Sequence, residues 1–269
     1  MRDRPRELLG SVTKCMRLLE AFSPDRPELS IEQFSSLLGI PKSTVYRMLH
    51  TLEARRFVER NPETGAYHLG LKLWEIGCVA LGRVGLRQAA SPILGKLVNL
   101  CKETALLAVL DGSEVVYMDV VDGPQPLRFH GWLGQRVPAH ATGTGKVLLA
   151  HLPPAALEEI TAKGLPRFTS RTITDRDALS EELATIRQQG YAFRGGDWIE
   201  DIFGATAPVR DHTGQVIAAL GVAGPTTRFT DQYLQSLIPL VLQAAGELSH
   251  ALGYSSTSNQ SAADAGQPV

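Results

Sequence analysis

Residues 30–52 read S-I-E-Q-F-S-S-L-L-G-I-P-K-S-T-V-Y-R-M-L-H-T-L, and this stretch decides the fold of the first part of the chain. Ser30 and Gln33 have the spacing of a capping box, so a helix is predicted to begin after Ser30. Gly39 suits the left-handed position that ends a helix. The next two residues lead directly into a second helix. Two helices joined by three or four residues that include a glycine are typical of a helix-turn-helix.

The segments on both sides complete a small domain. Residues 12–22 repeat apolar side chains at helical spacing and predict a first helix. Residues 57–69 read as two short strands around an N-P-E-T-G turn, which is the hairpin called a wing. Three helices followed by a hairpin, in this order, predict a winged helix-turn-helix domain over residues 1–70.

The second helix of the pair turns a polar and basic face outward, because Val45, Leu49 and Leu52 face inward. A guanidinium can pair with both guanine acceptors in the major groove, so Arg47 is the candidate for base readout. The start of the helix favours phosphates. A solvated amphipathic helix has the same periodicity, but the order of the elements favours DNA binding. The predicted DNA-binding residues are Lys42, Ser43, Thr44, Tyr46, Arg47, His50 and, from the wing, Arg60.

Charge is spread unevenly along the 269 residues, whose net charge is −1. Residues 1–70 contain 11 Lys and Arg against 9 Asp and Glu, and the remainder contains 16 against 19. A small basic face beside an acidic domain is compatible with DNA binding. There is no run of about 18 apolar residues and no apolar signal region near the start. We therefore expect a cytoplasmic protein without a membrane role, nucleoid-associated when it is bound to DNA.

The rest of the chain predicts a linker helix over residues 71–86 and an α+β domain over residues 87–253, with a sheet covered by helices. The polar tail, residues 254–269, is expected to be disordered. The expected helices cover residues 92–104, 179–189 and 231–252, and residues 139–152 are expected to be a small-residue loop that enters a further apolar helix. The expected strands cover residues 105–110, 114–121, 127–132, 205–211 and 216–224.

Several separated motifs resemble the IclR (isocitrate lyase regulator) family. They are S-V-T-K-C-M-R-L-L-E-A-F from residue 11, L-G-I-P-K-S-T-V-Y-R-M-L-H-T-L from 38, T-G-A-Y-H-L-G-L-K-L-W-E-I-G from 64, P-A-H-A-T-G-T-G-K-V-L-L-A from 138, and A-P-V-R-D-H-T-G-Q-V-I-A-A-L-G-V-A-G-P-T-T-R-F from 207. The resemblance implies a winged-helix head, a GAF-like α/β effector-binding domain, dimers or tetramers, and control of catabolic genes. It leaves the sign of control open, because the family contains repressors and activators.

The loop A-T-G-T-G-K at residues 141–146 enters a helix, and exposed amides at a helix start attract anions. A phosphate loop would need Gly at 140 and Ser or Thr at 147. The chain has His140 and Val147, so a small carboxylate is the better fit. A tight packing corner would need the same glycines. In the family this loop forms one wall of the effector pocket, which by position implies Gly143 and Thr144.

The opposite wall departs from the family. Members that sense small oxo-acids often carry Asp, Cys or Ser where this chain has Arg194, Gly204, Gly221 and Ala223. Small residues leave room for a ligand bulkier than pyruvate or glyoxylate. An arginine can clamp a carboxylate through two hydrogen bonds or point into solvent, and tryptophans can stack on an aromatic acid. The predicted effector-binding residues are Trp132, Gly143, Thr144, Arg194, Asp197, Trp198, Gly204, Gly221 and Ala223.

Two other classes of protein were weighed against a regulator. An enzyme would need a catalytic or metal-binding constellation, but the histidines lack metal spacing, and C-x-x-C, G-x-S-x-G and paired acidic motifs are absent. We therefore expect no catalytic residue, no metal and no cofactor. A constitutive architectural DNA protein is disfavoured by the large second domain. The sequence favours a regulator whose partners are double-stranded operator DNA, a small organic acid and further copies of itself.

Overall fold

The computed structural model describes residues 9–23, 25–80 and 84–255, apart from the side chains at 77–80, 84 and 194. The chain divides into two compact units, with the boundary between Val84 and Gly85. No helix in these described stretches is long and apolar enough to cross a membrane.

The first unit is an α+β arrangement of helices and a three-stranded sheet. Its strands pair in the order β1-β3-β2, and both pairings are antiparallel. This confirms the predicted order of three helices and a wing. The elements are α1 (Gly10–Glu20), β1 (Glu28–Leu29), α2 (Ile31–Leu38), α3 (Lys42–Ala54), β2 (Val58–Arg60), β3 (Tyr67–Leu69) and α4 (Leu71–Ala80).

Local signals set the ends of α2, and the core sets the orientation of α3. The Ser30 amide donates to Gln33 Oε1 at 2.7 Å, and the Gln33 amide donates to Ser30 Oγ at 3.3 Å, which forms the predicted capping box. Gly39 ends the helix with φ +66°. Val45 and Leu49 of α3 are fully buried in the core of this unit. Their burial leaves the opposite side of α3 facing outward.

The second unit is built on one six-stranded antiparallel sheet with the order β6-β5-β4-β9-β8-β7. A single 3₁₀ turn, Ala139–Ala141, precedes α6. The elements are α5 (Val84–Cys101), β4 (Thr104–Asp111), β5 (Glu114–Val121), β6 (Arg136–Pro138), α6 (Gly143–Leu149), α7 (Pro154–Ala162), α8 (Arg176–Gln189), β7 (Ala192–Gly195), β8 (Ile202–Arg210), β9 (Val216–Pro225) and α9 (Asp231–Ala251).

Helices cover this sheet on both faces. On one face Leu106, Ala108 and Tyr117 share a core with side chains of α6 and α8. Successive residues of a strand point to opposite faces, so the buried Leu107 belongs to the other side. There α9 packs against β8 and β9. Residues of β5 and β8 that alternate toward α6 are therefore available to line a site.

The structure corrects two expectations for this unit and adds two elements. The helix expected from Pro92 has already begun by Val84, because its buried apolar face includes Leu86 and runs past the proline. Residues 127–132 are irregular, and the strand lies after the Gly134 turn (φ +81°) at 136–138 instead. Helix α7 and the four-residue strand β7 were not predicted.

The expected linker helix over residues 71–86 lies across two elements. Helix α4 ends at Ala80, and residues 81–83 lie outside the described residues. Helix α5 has begun by Val84. Of the tail predicted over 254–269, residues 256–269 lie outside the described residues.

Candidate functional site

The outward face of α3 collects the residues predicted to bind DNA. Lys42, Ser43, Tyr46, Arg47 and His50 are exposed, and Thr44 is half-buried. The Tyr46 and His50 rings stack with an interplanar angle of 2° and centroids 6.1 Å apart. The middle of the face therefore combines a flat aromatic pair with the exposed guanidinium of Arg47.

The beginning of α3 offers donors for a phosphate. The Pro41 carbonyl accepts from the amides of Thr44 at 2.9 Å and Val45 at 3.1 Å. The amides of Lys42 and Ser43 make no hydrogen bond within the described part of the chain. Unpaired amides at a helix start favour an anion.

Lys42 adds a cation that is only weakly engaged. Its Nζ lies 3.0 Å from Glu32 Oε1, and more than 60% of each side chain is exposed. An exposed ion pair is worth about 0–1 kcal/mol. Lys42 can therefore exchange Glu32 for a DNA phosphate at little cost.

Arg60 lies on the wing, apart from the α3 face. Its Nε donates to the Gly65 carbonyl at 3.2 Å, and its guanidinium lies 5.9 Å from the centre of the Tyr67 ring. These contacts hold the arginine against the turn of the hairpin, where its exposed side chain is free to meet the DNA backbone.

A cavity of about 70 Å³ lies between the first turn of α6 and the segment that joins β7 to β8. We call it the effector cavity. It is lined by Leu106, Tyr117, Phe129, Ala141, Thr142, Gly143, Thr144, Gly195, Gly196, Trp198, Ile199, Ile202, Phe203, Gly204, Thr206, Val222 and Ala223.

The structure brings five of the nine predicted effector residues to this cavity, namely Gly143, Thr144, Trp198, Gly204 and Ala223. Trp132 and Gly221 are not among the lining residues, and Trp132 is exposed in the irregular segment before β6. The backbone of Arg194 pairs with Gly204 in the sheet. The side chain of Arg194, which was predicted to clamp a carboxylate, lies outside the described residues.

Asp197 lines a neighbouring cavity of about 400 Å³ instead of the effector cavity. Its Oδ1 lies 3.3 Å from the Nζ of Lys146, which is itself 3.6 Å from Glu182 Oε1. Only 7% of the Lys146 side chain and 14% of the Asp197 side chain are exposed. The carboxylate predicted to contact a ligand is thus directed to a cation of the protein.

Two predicted glycines have a steric explanation. A Cβ on Gly204 would stand 2.2 Å from the Val222 carbonyl oxygen. A Cβ on Gly221 would stand 2.5 Å from Thr206 Oγ1 and 2.7 Å from the Ala205 carbonyl oxygen. Close approach of β8 and β9 therefore excludes larger residues at both positions. The expectation that these glycines enlarge the pocket is not needed to explain them.

Two hydroxyl groups of the lining were missed in the sequence. Tyr117 and Thr206 are 3% and 5% exposed, and neither hydroxyl has a hydrogen-bond partner among the described residues. Burial raises the pKa of Tyr117, so its hydroxyl stays protonated and able to donate. Each strand contains other polar residues, such as Asp119 in β5 and Arg210 in β8, so nothing in the sequence singled out these two hydroxyls.

The remaining polar groups come from the start of α6. Thr142 Oγ1 accepts from the Gly145 amide at 3.3 Å and caps this helix. The amides of Gly143 and Thr144 make no hydrogen bond within the stretches that the structure describes. No charged side chain lines the cavity among those residues. The site therefore offers hydrogen-bond donors and an apolar wall without an acidic group that would repel a carboxylate.

The described residues include no group of three or more His, Cys, Asp or Glu side chains that could hold a metal ion.

Comparison with known proteins agrees with both halves of this arrangement. Residues 11–62 match the model of the IclR helix-turn-helix domain, and residues 78–250 match that of the bacterial transcriptional regulator IclR C-terminal domain. The chain is 36% identical to the transcriptional regulator XynR of Escherichia coli K12, over 92% of this chain and 98% of XynR. It is 35% identical to KdgR of the same organism, over 94% and 96%.

Solved structures show the same fold. The IclR protein of Thermotoga maritima has a TM-score of 0.76 and 29% identity, over 91% of this chain and 99% of that one. An IclR homolog from Microbacterium hydrocarbonoxydans, complexed with 4-hydroxybenzoate, has a TM-score of 0.80 and 28% identity, over 90% and 99%. The curated relatives are regulators and not enzymes. This chain belongs to the IclR family of DNA-binding transcriptional regulators, with a helix-turn-helix domain followed by an effector domain.

Proposed function

We propose that this protein is a ligand-responsive regulator of catabolic genes that senses a small organic acid with an aromatic body. One observation carries the proposal. The effector cavity combines unpaired donors with an apolar wall that includes four aromatic side chains, and it contains no acidic side chain among its described lining residues. A ligand pocket of this composition takes a molecule that is polar at one end and apolar at the other.

The polar end of the ligand meets the start of α6. A carboxylate there accepts from the Gly143 and Thr144 amides, and the Thr206 hydroxyl lies directly across from Gly143. Hydrogen bonds to a charged acceptor are stronger than neutral ones. The carboxylate is therefore the group that fixes the orientation of the ligand.

The apolar end meets aromatic side chains, which are Tyr117, Phe129, Trp198 and Phe203. Ring pairs in offset or edge-to-face geometry gain about 0.5–1.5 kcal/mol beyond the area they bury. A cavity of 70 Å³ holds roughly five to seven waters, each of which needs about 10–15 Å³. A single ring that bears a carboxylate fits after a small outward shift of the wall. The 4-hydroxybenzoate complex of a homolog supports this class of ligand.

The DNA-binding unit reads a half-site through α3. Arg47 contacts base edges, Tyr46 and His50 add contacts beside it, and Lys42, Ser43 and Thr44 bind phosphates where the helix begins. Arg60 on the wing contacts the backbone of the DNA. These assignments follow from the exposure of the residues and from the free amides that begin α3.

The protein acts as a dimer or tetramer, in which paired heads read two half-sites. Helix α4 carries three large exposed apolar residues: Leu71 is 69% exposed, Trp74 is 55% exposed and Ile76 is 45% exposed. Large exposed apolar side chains grouped on one helix indicate a contact surface, and a second copy of α4 would cover them. As for other DNA-binding regulators, the expected location is the bacterial cytoplasm, on the nucleoid when bound.

Ligand binding controls DNA binding by a shift between two arrangements of the protein. Only an acid with different affinities for the two arrangements can cause such a shift. Coupling free energies of about 1–3 kcal/mol, a change of roughly 5- to 150-fold in DNA affinity, are usual.

Fluorescence anisotropy with DNA from the region upstream of the gene tests the proposal. The wild-type protein should bind this DNA in preference to competitor DNA, with an affinity that falls as salt rises. Benzoate and 4-hydroxybenzoate should change that affinity, whereas benzamide, which lacks the carboxylate, should act more weakly. Pyruvate serves as the small acid without a ring.

The variant Thr206→Val provides the matched control for the cavity. It should bind DNA like the wild-type protein and respond to the aromatic acids only at higher concentration. If no acid changes the affinity for specific DNA, the sensing proposal fails. If the wild-type protein shows no preference across the neighbouring intergenic DNA with these acids present, the proposed target also fails.

A further inference from the structure

We propose that Lys146 and the turn formed by residues 169–172 are positioning residues of the effector site. They do not touch the ligand. They hold the hairpin segment, residues 195–203, against the cavity and thereby set the affinity for every ligand that enters it. This inference rests on the proposed function, because it assumes that the effector cavity is the ligand site.

The hairpin segment forms much of the cavity wall. It joins β7 to β8 and contributes six of the lining residues, which are Gly195, Gly196, Trp198, Ile199, Ile202 and Phe203. Gly196 adopts φ +88°, a conformation that most other residues avoid. A segment of this kind needs contacts from outside to keep a single shape.

The turn supplies two short hydrogen bonds to the backbone of the hairpin segment. Thr169 Oγ1 donates to the Gly196 carbonyl at 2.6 Å, and Thr172 Oγ1 donates to the Asp197 carbonyl at 2.6 Å. Thr172 Oγ1 also accepts from the amides of Phe168 at 3.0 Å and Thr169 at 2.8 Å. The Thr172 hydroxyl therefore forms hydrogen bonds both within its own turn and to the hairpin segment.

Arg171 adds a third contact from the same turn. Its guanidinium lies 5.3 Å from the centre of the Phe203 ring, within the range of a cation–π interaction. Its Cδ would stand 3.0 Å from a Cβ at position 196, so the stem of the arginine packs against Gly196. The two ends of the hairpin segment are thus held by one turn.

Lys146 joins the two walls of the cavity directly. It lies on α6, three residues after Gly143, and its ammonium pairs with Asp197 of the hairpin segment at 3.3 Å. Both side chains are mostly buried, so loss of Lys146 leaves the Asp197 carboxylate without its cation, whereas Lys146 also has Glu182 within 3.6 Å. None of Lys146, Thr169, Arg171, Thr172 and Asp197 lines the effector cavity. They act on the ligand only through the wall.

The variant Thr172→Val tests the proposal in the full-length protein, with Thr172→Ser as the conservative rescue. Thr161→Val is the matched control, since Thr161 is also buried and its hydroxyl donates at 3.0 Å to Leu157 within α7. Hydrogen exchange of the amides of residues 195–203 should accelerate about tenfold in Thr172→Val, the effect of losing a buried hydrogen bond. Amides of β4 and β5 should keep their rates. Thr172→Ser and Thr161→Val should resemble the wild-type protein in both segments.

Ligand affinity gives the second readout. Dissociation constants for benzoate, 4-hydroxybenzoate and benzamide should all rise in Thr172→Val by about the same factor, roughly tenfold. DNA affinity without ligand should stay unchanged. Thr206→Val, which changes the lining itself, should instead alter the ranking of the three ligands. Lys146→Met should act like Thr172→Val.

Asp197→Asn separates a positioning role from direct contact. A carboxylate that touched the ligand would repel an acid, so its loss would tighten binding of benzoate but not of benzamide. A positioning role predicts weaker binding of both compounds. Unchanged exchange at 195–203 in Thr172→Val would overturn the proposal, and so would an equal effect of Thr161→Val. Faster exchange at 195–203 in a protein that binds no acid would place the failure in the proposed function.

Discussion

Gly143 and Thr206 face each other across the effector cavity, and a methyl group on Gly143 would stand 3.3 Å from Thr206 Oγ1. Gly145, two residues further along the same loop, has a different environment. A methyl group there would stand 2.1 Å from the carbonyl oxygen of Ala139 and 2.3 Å from its Cα. A methyl group on the first glycine would press only on a side chain that lines the cavity, whereas the second glycine is packed against backbone.

Gly143→Ala should therefore weaken ligand binding without harming the fold. The added methyl group enters the cavity, so we expect the dissociation constant for 4-hydroxybenzoate to rise about tenfold, the equivalent of 1.4 kcal/mol. Titration of Trp198 fluorescence measures this change. Gly145→Ala should instead lower the free energy of unfolding by about 1–3 kcal/mol or more, because overpacking forces the backbone to move. Equal melting temperatures for the two variants would contradict this assignment.

Arg47→Ala should reduce the preference for the specific site while leaving the protein folded, because Arg47 is exposed on α3. Loss of a bidentate base contact costs about 1–3 kcal/mol of discrimination. Lys42→Ala should weaken specific and competitor DNA alike and lower the salt dependence by about one phosphate contact. Anisotropy titrations at several salt concentrations distinguish the two. If both variants lose the same amount of affinity for specific DNA as for competitor DNA, Arg47 is a phosphate contact.

Arg228→Met should destabilise the effector domain. Nε and Nη2 of Arg228 each lie 2.6 Å from an oxygen of Glu103, whose side chain is only 3% exposed. Breaking a buried pair leaves an uncompensated charge and costs about 3–5 kcal/mol. We expect the lower figure, since 30% of the Arg228 side chain is exposed. Urea unfolding of the variant gives the value.

A second substitution provides the control for that prediction. Glu103→Gln in the Arg228→Met background removes the buried charge and should recover part of the lost stability. In the ion pair of Lys96 with Glu247, 60% of the lysine side chain and 36% of the glutamate side chain are exposed. Lys96→Met should therefore lower the free energy of unfolding by less than about 1 kcal/mol. A comparable loss at both pairs would show that burial of Glu103 is not the cause.

Acid should destabilise the second unit through His151. Burial lowers the pKa of His151 below its ordinary value of 6.5, and the positive charges of Arg210 and Arg187 lower it further, while the Val147 carbonyl opposes them. The folded state therefore takes up a proton less readily than the unfolded chain. The stability due to neutral His151 is present above pH 6.5 and is lost as the pH falls toward the lowered pKa.

Thermal unfolding between pH 7.5 and 5 measures this effect. In His151→Gln the melting temperature should fall less steeply as the pH is lowered, because the glutamine side chain takes up no proton. His50→Gln serves as the control, since His50 is exposed on α3 and should leave the slope as in the wild-type protein. An unchanged slope in His151→Gln would assign the acid sensitivity to other groups.

The sequence by itself determined the DNA-binding half of this protein. The capping box of Ser30 and Gln33, the left-handed Gly39 and the apolar spacing of Val45 and Leu49 act over three or four residues. Short-range signals of this kind can be recognised without a tertiary structure. They placed α2 and α3 correctly, and with them the outward face that carries Arg47.

The sequence determined less about the second unit. The loop at 141–146 was expected to form a pocket wall because of the family resemblance, since its glycines and the helix start suit a tight packing corner equally well. Pro92 was taken as the first residue of a helix, but a buried apolar face carried the helix through it. Tertiary packing overrode a local preference in that case.

Only the tertiary structure decided which side chains meet in the effector cavity. Tyr117 and Thr206 lie 89 positions apart on β5 and β8, and pairing through β4 and β9 brings them together. The tertiary structure also shows that the close approach of β8 and β9 requires Gly204 and Gly221, and that Asp197 forms an ion pair with Lys146. Register and distance between distant strands depend on the whole core, which no short segment encodes.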